Sequence, residues 1–282
     1  MVCLEILKRK INKIDFPFGS MKGIEISTVI GCQNRCEYCP QDLIIKKYKK
    51  RSKERVMKFE VFKKIIDKIY KNIDFVSFSG FAEPFLNKNC SEMILYAHKK
   101  GLRIFVFTTC VGMSHKDIEE IKGIPFDLFW IHVPGKKSKM NIKINKQYLN
   151  ILRKLFESKV KNLRYICLGK EVNEDVFKLI KEFDVSLKEM EMHDRAGNLN
   201  MGIRRIVKGK NKKCMHWKKP VVLPNGDVFL CCQDYGLKHY LGNLLKIGYE
   251  NLFESKEFKK IERSIYEEDI DCLCRRCYFG KK

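Results

Sequence analysis

The residues best placed to do chemistry are thiols. Cys32, Cys36 and Cys39 fall within eight residues, in the stretch Gly31 to Pro40. Their spacing is Cys-x3-Cys-x2-Cys, and no fourth cysteine stands nearby in sequence. A structural zinc ion is normally closed by four ligands, often as two close cysteine pairs. Three thiolates in one loop suit an iron–sulfur cube with one iron left open to a small ligand. Spacing alone leaves zinc and coincidence as alternatives.

A second group lies near the C-terminus. Cys214 is followed by eleven residues, then Gly226, then four residues and Cys231, and the chain ends with Cys274-x2-Cys277. Pro224-Asn225-Gly226-Asp227 is a tight turn between two β runs, so a hairpin brings Cys231 back toward Cys214. Four cysteines so spaced suit a zinc ribbon or a fully ligated cluster. Cys232 points the other way on a strand if Cys231 faces the metal, and Cys272 is the readiest substitute ligand. Cys110 and Cys167 end strand-like runs and read as small apolar core residues.

These groups need a scaffold, and the chain supplies one. Its 282 residues are 45% apolar, enough for one large domain or a domain with a small appendage. From residue 23 to about 195, strand-like and helix-like runs alternate. The strand candidates are 23–31, 73–81, 102–110, 127–134, 162–169 and 185–193. Between them, Phe59, Phe62, Ile66 and Ile69 recur at helical spacing, as do Leu149, Leu152, Leu155 and Phe156, and Val176, Phe177, Ile180 and Phe183. Such alternation predicts parallel strands with helical crossovers, as an open sheet or a barrel. Ligands then gather at the carboxyl ends of the strands. The three-cysteine loop follows the first strand at that rim. His132 ends the fourth strand there, and Arg195, in a turn-like stretch after the sixth, could grip a substrate oxygen. These two are the candidate catalytic residues.

No stretch offers the roughly 18 consecutive apolar residues of a membrane span. The N-terminus lacks the long apolar core of a signal peptide, so a cytoplasmic protein is expected. The chain has 13 cysteines, and in a reducing compartment the seven that fall into two spaced groups point to metal rather than disulfides. Lys and Arg exceed Asp and Glu by 57 to 34, a net charge of +23. That field favours acidic partners, nucleic acid and anionic metabolites among them. Lysine is spread along the whole chain, though residues 46–55 and 204–213 form denser runs beside the cysteine groups. No separate RNA-binding fold is visible.

The Cys32–Cys39 spacing, placed after the first strand of a repeating β/α domain, resembles the signature of the radical S-adenosylmethionine (SAM) superfamily. The resemblance implies that Cys32, Cys36 and Cys39 hold a [4Fe–4S] cluster whose open iron chelates the amino and carboxylate groups of SAM. Tyr38, the aromatic residue before the third cysteine, would pack near adenine. Gly80-Phe81-Ala82-Glu83-Pro84 resembles the segment that binds the SAM ammonium, with Phe81 and Ala82 where two glycines are usual. Glu83 keeps the carboxylate. Thr108-Thr109-Cys110 resembles a stretch near the SAM ribose, which marks Thr109.

The C-terminal cysteines, with GDVFLCCQD and LGNL, resemble the auxiliary domain called SPASM, or twitch when truncated. The full form needs seven cysteines, and this chain has six from Cys214 onward. The resemblance therefore implies one auxiliary [4Fe–4S] cluster, held by Cys214, Cys231, Cys274 and Cys277. The expected fold is α/β: a partial (β/α)6 barrel with a small β-hairpin-plus-helix Fe–S domain. The expected division is an extension over 1–22, the barrel over 23–200 and the auxiliary domain over 201–282. The implied cofactors are SAM and two [4Fe–4S] clusters.

The layout resembles the aminocyclitol dehydrogenase branch of the superfamily, which oxidises a secondary alcohol on a small polar ring. The implied activity is reductive cleavage of SAM to a 5′-deoxyadenosyl radical, followed by dehydrogenation of a small polar substrate such as a sugar or cyclitol, anionic ones included. The auxiliary cluster would accept an electron. Implied partners are that small molecule and an external reductant of flavodoxin or ferredoxin type, with no membrane. Peptide modification and nucleic-acid modification are the alternative activities.

Overall fold

The computed structural model describes residues 19–135, 140–168, 172–183, 187–190, 193–200, 208–211 and 213–280. Cys3, most of the 1–22 extension, residues 204–207 and 212 of the second basic run, and parts of the 185–193 run lie outside them.

Six strands occupy the six strand-like runs. They are β1 (Gly23–Ile26), β2 (Phe75–Phe78), β3 (Arg103–Thr108), β4 (Leu128–Val133), β5 (Leu163–Leu168) and β6 (Leu187–Met190). Each pairs in parallel with the next in chain order. The connections carry α1 (Gln41–Tyr48), α2 (Phe59–Ile69), α3 (Cys90–Lys99), α4 (His115–Ile121), α5 (Lys146–Glu157) and α6 (Glu174–Glu182). The three helical patterns read from sequence are α2, α5 and α6.

Strand side chains alternate between two environments, as the period of two requires. Ile24, Ile26, Val76, Phe78, Ile104 and Val106 join the buried face of the helices in one large core, with Phe62, Ile65 and Met93. The opposite face carries Phe75, Phe105, Leu128, Trp130 and Ile166, packed as a second apolar cluster. Phe75 and Phe105 meet edge to face, with ring centroids 5.2 Å apart. Two residues further along β2, β3 and β4 stand Ser77, Phe107 and His132, and the plug gives way to a cavity. The barrel is closed below by bulky apolar residues and opens above, at the carboxyl ends of its strands.

The expected hairpin is β7 (Val221–Val222) and β8 (Asp227–Phe229), and a third strand, β9 (Tyr240–Asn243), extends it. Gly226 turns it at φ +83°, where a Cβ would meet Asn243 and Leu245 at 3.0 Å. Only glycine adopts that conformation without strain. β7 pairs in parallel with β1, so one nine-stranded sheet runs β6-β5-β4-β3-β2-β1-β7-β8-β9. The hairpin thus continues the barrel's own sheet. Helix α7 (Lys256–Arg263) and a 3-10 turn at Leu273–Arg276 complete the C-terminal part. Among the described residues, no helix is long and apolar enough to cross a membrane.

Candidate active site and cluster sites

The three-cysteine loop is wrapped around a buried glutamine. Gln41 opens α1 and is 4% exposed. Its Oε1 accepts from the Cys32 N–H at 3.0 Å, and its Nε2 donates to Cys39 Sγ at 3.1 Å and to the Phe81 carbonyl at 2.5 Å. The Cys39 N–H donates to the Cys36 carbonyl at 2.9 Å. These bonds fix the loop and leave its three thiols half-buried and outside any disulfide. Burial, with the neighbouring Cys39 and Cys32 thiols, pushes Cys36 up to about 11. Bound metal is what would hold such thiols ionised.

The donor spacing also bears on which metal fits. Four sulfurs on one zinc ion lie about 3.8 Å apart, given Zn–S bonds of about 2.3 Å. Among the described residues, Glu25, His216 and Cys232 are the trio of Cys, His or acidic residues whose ligand atoms all fall within 4.8 Å of one another. The three thiols of the first cysteine group line one cavity and the four of the second line another, donor sets that suit iron–sulfur clusters.

Next to the loop, the ends of β2 and β3 form one hydrogen-bonded unit. Gly80 leaves β2 at φ +82°, where a Cβ would stand 2.9 Å from that of Ser27. Glu83 is 4% exposed and caps the short turn Pro84–Leu86, accepting from the Phe85 N–H at 3.3 Å. The same carboxylate accepts from the Thr108 hydroxyl, from the Thr109 N–H at 2.6 Å and from Thr109 Oγ1 at 2.7 Å. Asn34 of the cysteine loop donates to Thr109 Oγ1 at 3.0 Å. All three motifs singled out for SAM are therefore joined through Thr109 and Glu83. A carboxylate has about four acceptor positions, and Glu83 uses them on the protein. An incoming ammonium would share those oxygens or use the neighbouring backbone carbonyls. Burial raises the Glu83 pKa against the pull of its donors.

Tyr38 is 8% exposed and packs with Met140 against Cys36 and Cys39. Its carbonyl accepts from Arg195 Nε at 3.3 Å. Arg195 sits in a tight turn at φ +51°, followed by Ala196 at +56° and Gly197 at +78°. The turn swings the guanidinium over the cysteine loop. His132 shares the cavity wall with Arg195. Burial, then the Arg195 charge, lowers His132 to about 4. His193 accepts from the Arg195 N–H at 3.3 Å and stacks on Tyr278 with ring centroids 5.7 Å apart.

The cavity extends from Cys32, Cys36, Cys39 and Tyr38, past Gly80, Phe81, Ala82, Glu83 and Thr109, to His132 and Arg195. Every candidate residue from the barrel thus lines one space. Glu25, Asn34, Gln41, His193, His216 and Tyr235 line it too, and sequence reasoning passed over them. Glu25 carries a local signal, a charge inside the apolar run Ile24–Ile26, and His216 stands two residues after Cys214.

The second cysteine group surrounds a separate, smaller cavity. Cys214, Cys231, Cys274 and Cys277 line it, with Trp217 and Leu273. Cys232 lines the large cavity instead. Cys272 is buried beside the Cys274 thiol and His239. Burial raises Cys214, and raises Cys277 to about 11.

Comparison with known proteins agrees with this arrangement. The radical SAM superfamily model matches residues 26–183, more than half of the chain, and the SPASM iron–sulfur cluster-binding domain matches residues 214–278. No curated protein matches the sequence significantly. Among solved structures, BtrN in complex with AdoMet and 2-DOIA shares 17% identity over 88% of each chain, with a TM-score of 0.59. The enzyme anSMEcpe with bound AdoMet shares 16% identity over 92% of this chain and 83% of that one, also with a TM-score of 0.59. Streptococcus suis SuiB bound to precursor peptide SuiA shares 11% identity, with a TM-score of 0.65 over 85% of this chain and 66% of that one. At these identities the structures support the fold alone. The two family models imply SAM and iron–sulfur clusters as cofactors. The chain belongs to the radical SAM superfamily and is a radical SAM enzyme with a C-terminal SPASM iron–sulfur domain.

Proposed function

We propose that this enzyme dehydrogenates a small polar substrate, such as a sugar or cyclitol, in the cavity between its two cysteine groups. One observation carries the reading. The segment Cys231–Gln233 is the partition between the two cavities: Cys231 faces the smaller, Cys232 the larger, and Gln233 borders both. A substrate oxidised in the large cavity would therefore lie across that one segment of chain from the auxiliary ligands. Cys32, Cys36 and Cys39 would hold the SAM-binding cluster, and Cys214, Cys231, Cys274 and Cys277 the auxiliary one. When bound, the clusters and SAM supply one-electron chemistry: reductive cleavage of SAM, removal of a substrate hydrogen atom and acceptance of the second electron.

The protein's side chains do the rest. Arg195 orients a substrate oxygen by donating to it. His132, held neutral, accepts the hydroxyl proton released as an alcohol becomes a carbonyl. Tyr38, Phe81 and Tyr235 wall the cysteine loop with buried rings and keep water from it.

The test is product analysis by mass spectrometry after anaerobic incubation with SAM, a reductant and candidate sugars or cyclitols. A product two hydrogens lighter, formed with 5′-deoxyadenosine, supports the reading. Turnover confined to peptides bearing an oxidisable side chain would move the enzyme to the peptide-modifying class.

A further inference from the structure

Glu25, His216 and Cys232 form a group that the proposed reaction leaves without a task. Glu25 sits in the middle of β1, and its neighbours Ile24 and Ile26 turn to the helix-facing core. Its own side chain turns to the opposite face and is 7% exposed. The Glu25 N–H donates to the Pro220 carbonyl at 2.9 Å, and Glu25 pairs in register with Val221 of β7. That pairing brings the turn before β7, which carries His216, against the carboxylate. Cys232 follows β8, the strand beside β7. Three separate stretches of chain thus meet, one from the barrel and two from the SPASM domain.

Their donor atoms are spaced for a single ion. Oε1 of Glu25 and Nδ1 of His216 stand 3.4 Å apart. Two tetrahedral zinc ligands at about 2.1 Å from the metal stand about 3.4 Å apart as well. Cys232 Sγ completes a trio whose ligand atoms all lie within 4.8 Å of one another. Oε1 is buried and accepts no hydrogen bond among the described residues. A buried charge is normally paired or bound to metal. Oε2 accepts from Ser79 Oγ at 2.9 Å, and Ser79 Oγ lies 3.0 Å from Ser77 Oγ. Such a bond behind a ligating carboxylate fixes its orientation. The His216 ring meets Phe279 edge to face, with centroids 5.4 Å apart. Lys219, the cation beside this group, has its Nζ on the carbonyls of Met215 and Gly19 at 2.8 and 3.3 Å. A thiolate, an imidazole and a carboxylate are a zinc donor set, whereas magnesium and calcium take oxygen ligands. With Glu25 and Cys232 ionised and His216 neutral, the two charges of the ion are balanced, and binding releases the thiol proton to water.

We propose that Glu25, His216 and Cys232 bind one zinc ion, which pins the SPASM domain to the barrel at the partition between the two cavities. Cys232 follows Cys231 directly, and His216 stands two residues after Cys214. The ion therefore fixes two of the auxiliary cysteines relative to β1. Its fourth position falls to water, as zinc sites with three protein ligands keep one. Zinc has no redox chemistry, so the role is structural and holds whatever the substrate is.

The experiment uses the full chain, reconstituted anaerobically so that both cysteine groups are filled, washed with a chelator and then given equimolar zinc. Elemental analysis should find about one zinc beside about eight irons. Zinc K-edge X-ray absorption should show one sulfur at about 2.3 Å and nitrogen or oxygen at about 2.0–2.2 Å. Cys232→Ser should remove the sulfur. Like His216→Gln and Glu25→Gln, it should also weaken zinc binding by about tenfold or more in competition with a chelating dye, at unchanged iron content. Zinc should raise the melting temperature of the wild type and leave that of each variant where it was. If a variant loses its iron, the absorption spectrum of the wild type still decides. A shell of four sulfurs would put the zinc in a cysteine group and overturn the site. So would a wild type that retains no zinc, as a plain Glu25–His216 ion pair requires, or zinc held equally well by Cys232→Ser and Glu25→Gln.

Discussion

The hydroxyl of Tyr235 lies 3.5 Å from the sulfur of Cys39. The two residues are 196 positions apart, one in the C-terminal domain and the other in the loop after β1. Tyr235 is 3% exposed, and its ring meets Phe81 edge to face at 4.9 Å. The SPASM segment therefore helps build the surroundings of the first cysteine group as well as those of the second. Its hairpin also completes the barrel's sheet beside β1.

Tyr235→Phe tests that contact. The ring and its packing remain, and only the hydroxyl at the sulfur is lost. Hydrogen bonds to cluster sulfurs raise the reduction potential. A net bond of about 0.5–1.5 kcal/mol corresponds to roughly 20–65 mV for one electron. The first cluster's midpoint should fall by about that much, with iron content unchanged. Potentiometric titration followed by electron paramagnetic resonance reads the shift.

Thr109→Val tests the unit that joins the three SAM motifs. The change is nearly isosteric and removes one hydroxyl, which donates to Glu83 and accepts from Asn34. Both partners are left short of a bond, at a cost of about 1–3 kcal/mol. The melting temperature should drop by several degrees. The KM for SAM should rise by about tenfold, which a steady-state 5′-deoxyadenosine assay measures. An unchanged KM with a lowered melting temperature would make the unit purely structural.

His132 should make the fold acid-sensitive. Its pKa is lowered to about 4, whereas an unfolded histidine titrates near 6.5. Below about pH 6.5 the unfolded chain takes up a proton that the folded chain refuses, so stability falls with pH. Between pH 7.5 and 5.5 the loss from this residue is about 1.4 kcal/mol. Arg195 is the charge that faces it, and Arg195 does not titrate in this range. His132→Gln should flatten this part of the stability–pH curve in denaturant titrations. An identical slope in the variant would show that the imidazole is not held neutral.

The two cysteine groups should separate by function. Wild-type protein should carry about eight irons per chain, as two cubes. Cys36→Ala should abolish SAM cleavage. Cys231→Ala should bring iron to about four, keep cleavage and stop formation of oxidised product. Product at the wild-type rate from Cys231→Ala would remove the auxiliary cluster from the electron path.

Much of this architecture is legible in the sequence, for reasons that also mark the limit. Strands such as Phe75–Phe78 and Leu128–Val133 are dense in β-branched and aromatic residues, buried on both faces, so each reads as an apolar run. Helices α2, α5 and α6 show clear apolar faces. Helix α4 is harder to see, because it buries only Ile118 and Ile121. The cysteine groups stand out because ligand spacing is local. Glu25, Gln41 and Tyr235 do not, because partners that hold them lie 40 to 196 residues away: Ser79 and His216, Phe81, and Cys39. A buried polar residue has no signature until the fold shows what it touches. Strand β9 is short and held by pairing with β8 rather than by a strong pattern of its own.

The measurement closest to the centre is low-temperature electron paramagnetic resonance of the anaerobically reconstituted, dithionite-reduced protein, before and after addition of SAM. The expected spectrum contains two reduced [4Fe–4S] signals. One should change on adding SAM and be absent from the Cys32→Ala, Cys36→Ala, Cys39→Ala triple variant, while the other persists. A spectrum indifferent to SAM, or unchanged when those three thiols are removed, would contradict the assignment of the SAM-binding cluster to Cys32, Cys36 and Cys39.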